Sequence, residues 1–141
     1  MLDHIGLRVA DYERSKRFYP AALAPPVISL FIEGPASAGF QKGFIPNFWV
    51  RLGDPATFVH VAFASDKRDS VDAFYRTALA AGAGDNGPAG LRPAVPPNYY
   101  GAFVLDSDGY NIEAACHKPA WVPTGWAVNL GFSFQFDAPI S

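Results

Sequence analysis

The chain has 141 residues, is half hydrophobic with 15% aromatic residues, and carries a formal net charge of −2. This composition supports one domain of ordinary size with a sizeable core and argues against disorder; the charge gives no electrostatic case for nucleic acid or an anionic membrane. The one cysteine, Cys116, excludes an internal disulfide, and the sequence shows neither an apolar leader nor an apolar run long enough to span a bilayer, so a reducing, cytoplasmic setting is expected.

In chain order, "DHIGLRV" at residues 3–9 reads as a strand. Asp11 can cap the helix that follows, and Glu13 suits its first turn. Ser15, Phe18, Tyr19, Ala22 and Leu23 recur at helical spacing, and Pro25 and Pro26 end the segment. Pro20 lies inside it; an interior proline costs about 3 kcal/mol and predicts a bend near Lys16–Pro20. Strand-like material follows as "VISLFIE", a short piece around Phe40, and "NFWVRL". The "GDPAT" turn sets a boundary near Asp54–Ala56.

The same grammar then returns. "FYPAALA" at 18–24 is echoed by "FYRTALA" at 74–80, and at the same offset His4 falls on His60 and Ile5 on Val61. Two copies indicate a duplicated unit. "TFVHVAF" is its strand, Asp66 or Asp69 its candidate cap, and Val71, Phe74, Tyr75, Ala78 and Leu79 its apolar stripe, stopped by Gly82 and Gly84. A poor segment near Leu91, then "GAFVLD", the "DSDG" turn and "YNIEAACH" complete it. Each half reads strand–helix–strand–strand–strand: module one about 1–55, module two about 57–117, and an extension at 118–141. Within the extension, "VNLGFSFQF" at 128–136 alternates cleanly and predicts an extra C-terminal strand, acting as edge protection or as a lid or dimer clasp.

His4, His60 and Glu113 each fall inside a predicted strand among apolar neighbours. Burying an ionisable group without a partner is expensive. Histidines at matching places in two copies face each other if the copies pack symmetrically. Two imidazoles and a carboxylate with open positions form the facial site used for Fe(II) and similar divalent metals. The competing reading is a satisfied core histidine and a solvent-facing glutamate. Alternation puts Asn111 and His117 on the face of Glu113 and Cys116 on the other. Arg8 and Arg51 are candidate anion ligands or solvated strand residues. Tyr99 and Tyr100 are candidate phenolic donors over the site or packing residues.

"DHIGLRVAD" leading into "FYPAALA", "VHVAF" leading into "FYRTALA", and "DSDGYNIEA" together resemble the vicinal oxygen chelate superfamily, which includes glyoxalase I, extradiol dioxygenases, fosfomycin-resistance enzymes and bleomycin-resistance proteins. The resemblance covers residues 1–117. It implies an α+β fold of two tandem βαβββ modules whose strands curl into a cup. It places metal ligands at His4, His60 and Glu113, with a divalent ion (Fe, Mn, Zn or Ni) as cofactor. The further carboxylate of glyoxalase I-like members would fall on Trp49, and no Asp or Glu occurs from Gly34 to Leu52. That departure leads away from glyoxalase I activity.

The resemblance thus implies a glyoxalase- or dioxygenase-like metalloprotein acting on a small oxygenated substrate that chelates the metal. Glu113 would be the catalytic candidate, with Trp49, Arg51, Tyr100 and Asn111 in the substrate pocket. A homodimer is expected, since in some members the modules pair across two chains. The alternative is a metal-free protein that sequesters a small molecule, of the bleomycin-resistance type.

Overall fold

The structure, a computed structural model, describes residues 3–93 and 97–120. Module one runs β1 (Ile5–Val9), α1 (Tyr12–Leu23), β2 (Ser29–Glu33), β3 (Ser37–Gln41) and β4 (Pro46–Leu52). Module two runs β5 (His60–Ala64), α2 (Arg68–Ala80), β6 (Gly84–Asp85), β7 (Gly90–Leu91), β8 (Tyr100–Leu105) and β9 (Asn111–Cys116). The α+β class and the repeated strand–helix–strands order are as the sequence indicates. The poor segment before "GAFVLD" resolves into two pieces of two residues each, β6 and β7. The expected strand at 128–136 lies outside the described residues.

The strands form two mixed sheets, ordered β1-β4-β3-β2 and β5-β9-β8-β6, with β7 also pairing β8. In each sheet the first strand of the module lies parallel to its last, β1 with β4 and β5 with β9. One face of each sheet is covered by its helix. Leu7, Val9, Phe48 and Val50 pack there in module one, and Val61, Phe63, Ile112 and Ala114 in module two. Because side chains alternate across a strand, His4, Gly6 and Arg8, and likewise His60, Ala62 and Glu113, take the opposite faces.

Helix α1 buries the stripe that periodicity marks out, and α2 buries Val71, Phe74 and Ala78 of its stripe, with Tyr75 and Leu79 only partly covered. The α1 stripe is Ser15, Phe18, Tyr19, Ala22 and Leu23, joined by Tyr12. Asp11 caps it, its carboxylate accepting from Arg14 N at 2.9 Å. The helix continues through Pro20 to Leu23. The cap of α2 differs from expectation: Lys67 occupies that position and makes no side-chain cap bond. Asp66 instead pairs with Lys42 and Lys118, which holds its carboxyl below the usual carboxylate range, the Lys118 hydrogen bond contributing most. Asp69 lies in the first turn, where its charge suits the helix dipole. Gly82, at φ +103°, ends α2 in a backbone conformation that a side chain would resist. Among the described residues no helix is long and apolar enough to cross a membrane.

The modules are locked together by the "DSDGY" turn between β8 and β9. Buried Asp106 accepts from the Tyr19 hydroxyl at 2.6 Å and from the backbone N–H groups of Asp108 and Tyr110, each at 2.9 Å. Asp108 accepts from Ala10 N at 3.1 Å. The Tyr110 hydroxyl donates to Arg8 O and accepts from Ala56 N at 2.8 Å. Phe48 meets Phe63 edge-on, ring centroids 5.1 Å apart.

Burial raises the Asp106 carboxyl above its ordinary 3.8, although its three hydrogen bonds pull the other way. A carboxyl whose value is raised by folding stabilises most below the unfolded value, and that contribution fades as pH rises through the folded one. Replacing Asp106→Asn is therefore expected to flatten the loss of stability on raising pH above about 4. Tyr19→Phe should cost about 1–3 kcal/mol by orphaning a buried carboxylate oxygen. Urea unfolding across pH reads both, and a Tyr19→Phe variant of unchanged midpoint would show that the lock contributes nothing.

Candidate functional site

The parallel pairing of β5 with β9 sets Ala62 beside Glu113 and His60 beside Asn111. On the face away from α2, His60 and Glu113 then converge: Nε2 lies 2.8 Å from Oε2. The carboxylate is only 2% exposed, whereas the imidazole is 52% exposed. The other carboxylate oxygen, Oε1, accepts from the Tyr99 hydroxyl. A buried carboxylate without partners would be costly; here each oxygen has one. Gly101 makes room for this arrangement, since a Cβ there would stand 3.2 Å from Oε1 and 3.4 Å from the Tyr99 ring.

Tyr99 is pushed up to about 12, chiefly by burial and then by its hydrogen bond to the Glu113 carboxylate. It therefore keeps its proton at neutral pH and acts as a donor. Its ring stacks on that of His117, centroids 4.9 Å apart and planes 16° from parallel. His117 is exposed, as a strand end is expected to be, yet it covers the tyrosine of the site. Cys116 faces the core, away from Glu113.

Two pocket expectations need revision or refinement. Tyr100 is turned to the helix side, where it donates to Asp72 Oδ1 at 2.6 Å and lies under the Arg68 guanidinium. Tyr99 is the tyrosine that reaches the site. Counting back across the "DSDG" turn supplies the signal: Leu105 pairs Asn111 and Phe103 pairs Glu113, so Gly101 and Tyr99 share the face of Glu113. Asn111 does lie on that face, half-buried, its side-chain oxygen accepting from Asn86 at 3.1 Å.

Module one presents the matching face with different chemistry. Gly6 pairs Trp49 just as Ala62 pairs Glu113, so Trp49 occupies the position of the carboxylate. On its other side Trp49 pairs Gly39, and its ring lies against that glycine. Trp49 and Arg51 line a cavity of about 380 Å³ together with His4, Arg8 and Ser37.

His4 itself is exposed, its Nδ1 2.7 Å from Asp3 Oδ1. It borders a second hollow, of about 350 Å³, that His60 also borders. Within one chain, and among the described residues, no three His, Cys, Asp or Glu side chains come together to hold a metal. The ligand set expected at His4, His60 and Glu113 is thus present as a joined pair and a separate third residue. The chemistry of the pair fits a cation: an imidazole nitrogen and a carboxylate oxygen 2.8 Å apart could both serve as ligands of one divalent ion.

No protein-family model matches the chain, and no curated protein matches it in sequence. Solved structures do. A glyoxalase/bleomycin resistance protein from Albidiferax ferrireducens T118 is 27% identical, with a TM-score of 0.71 over 84% of this chain and 99% of that one. A glyoxalase-related enzyme from Fulvimarina pelagi is 22% identical, with a TM-score of 0.65 over 98% and 99%. Lactoylglutathione lyase from Agrobacterium tumefaciens is 14% identical, with a TM-score of 0.61 over 82% and 92%.

The placement of Trp49 has a direct test. A Cβ on Gly39 would stand 2.8 Å from Trp49 Cζ3, and overpacking of that kind typically costs about 1–3 kcal/mol. Gly39→Ala should destabilise by that order, and the loss should shrink when Trp49→Leu is added. A double-mutant cycle by thermal unfolding measures the coupling, and additive losses would place the indole elsewhere.

Proposed function

We propose that this chain, which has the fold of the vicinal oxygen chelate superfamily, is a metal-dependent enzyme for a small oxygenated substrate, its site shared between two copies. The observation that carries the reading is the joined pair of His60 and Glu113, with the carboxylate buried and both of its oxygens engaged. A histidine and a carboxylate on adjacent strands of one half, with a histidine from the other, make up the donor set. A divalent ion held there supplies Lewis-acid polarisation of a substrate oxygen.

The chain's own groups do the rest. Glu113 is fixed by the Tyr99 hydroxyl, so its free lone pairs have a defined direction. It is also the carboxylate of this face placed to accept a substrate proton. Tyr99 holds its proton and keeps the carboxylate from turning. Trp49, where a second carboxylate would stand in a four-ligand site, offers an apolar wall.

Two observations support sharing across a homodimer. His4 does not join the other two ligands in a three-residue group. Module one also exposes a run of large apolar side chains, among them Phe31 at 53%, Ile32 at 50% and Phe44 at 97%. Such exposure marks an interaction surface. In a twofold dimer, module one of each copy faces module two of the other.

A metal-free sequestering protein is the second reading, and Trp49 in place of a carboxylate favours it. Elemental analysis of protein purified without chelator, followed by metal titration, separates the two. Metal uptake that is lost in His60→Ala and in Glu113→Gln is the expected result. Mixing His4→Ala with His60→Ala chains should restore about a quarter of the sites, because half the dimers are mixed and each holds one intact site. No uptake by the unaltered protein would remove the metal reading. Uptake without restoration on mixing would place all the ligands in one chain.

A further inference from the structure

Arg8 and Arg51 stand directly beside each other on the parallel strands β1 and β4, and both are exposed on the face away from α1. Neighbouring strands are about 4.8 Å apart, and like charges set side by side destabilise a sheet. Among the described residues neither guanidinium makes an ion pair or a side-chain hydrogen bond, and no residue lining the adjoining cavity is acidic. This happens in a chain whose overall charge is negative. The stem of Arg8 runs close to the neighbouring loop. It lies against Gly53, where a Cβ would come within 3.2 Å of Arg8 Cδ.

The cavity these arginines border measures about 380 Å³ and includes Trp49 and Ser37. Ser37 is the strand partner of Arg51, and adds a hydroxyl donor beside the guanidinium. Trp49 lies one face on Gly39, which leaves its indole as a rigid wall two residues from Arg51. Paired guanidinium forks suit the oxygens of a carboxylate or phosphonate, and an indole suits a flat carbon skeleton.

We infer that this cavity takes a small anionic compound with a flat, unsaturated or aromatic body, Arg8 and Arg51 clamping its carboxylate or phosphonate and Trp49 bearing its body. The inference rests on the reading that this face holds the substrate, and it names the substrate's class. It does not require the metal.

Isothermal titration calorimetry on chelator-treated protein tests it, with benzoate, phenylphosphonate and neutral benzamide as probes. Benzoate, phenylphosphonate or both should bind at least about tenfold more tightly than benzamide, and the comparison of the two anions shows which head group is preferred. Arg8→Gln and Arg51→Gln should each weaken the anion by about tenfold. Trp49→Leu should weaken benzoate more than acetate. Both arginines are exposed, so the variants should fold, and thermal melts check that they do. Neither anion binding more tightly than benzamide, or arginine variants that bind the preferred anion as before, would overturn the proposal. His60→Ala separates this inference from the metal reading, since it should abolish metal uptake and leave anion binding intact. Metal uptake without anion binding would overturn this inference alone, and anion binding without metal uptake would overturn the metal reading alone.

Discussion

The buried contact between the Tyr19 hydroxyl and the Asp106 carboxylate sets the geometry on which the rest depends. Asp106 opens the turn into β9, and its other oxygen takes the backbone N–H groups of that turn. The start of β9 is thereby anchored to a helix of the other module. Glu113 lies three residues into that strand, so its depth and facing follow from the anchor. Tyr19 is itself held by aromatic neighbours, with Phe18 and Phe48 edge-on at 5.0 and 4.9 Å and Phe40 at 6.0 Å. A polar link inside an apolar cluster is costly when broken, which makes the relation between the modules specific rather than merely sticky.

The two halves share one plan and differ in what they put on its open face. At the position opposite Gly6 stands an indole; at the position opposite Ala62 stands a carboxylate. Each choice has its accommodation. Gly39 gives the indole a flat bed, and Gly101 gives the carboxylate and Tyr99 their space. One half thus carries a joined histidine and carboxylate, and the other carries two guanidiniums and an apolar wall.

Much of this was legible in the residues. The offset shared by "FYPAALA" and "FYRTALA" disclosed the duplication, and strand alternation put Glu113 on one face and Cys116 on the other. The grouping of His60 with Glu113 and the place of Trp49 where a carboxylate would stand were what the family resemblance implied. Other features were not legible because they depend on groups remote in sequence. Asp66 had every local reason to cap α2, but Lys42 and Lys118 reach it from other parts of the fold. The bond from Tyr100 to Asp72 likewise depends on α2 packing against β8, whereas the turn of Tyr99 towards Glu113 could be counted back across the "DSDG" turn.

The sequence by itself determined the duplicated plan, the helices with their buried stripes, and the candidate chemistry of each strand face, because periodicity and capping are local properties of the chain. The tertiary structure decided which of those side chains meet. His60 joins Glu113 because parallel pairing brings distant strands together, while His4, identical in local pattern, remains with Asp3. Contact between residues far apart in the chain depends on register and module packing, and neither is written into any short stretch.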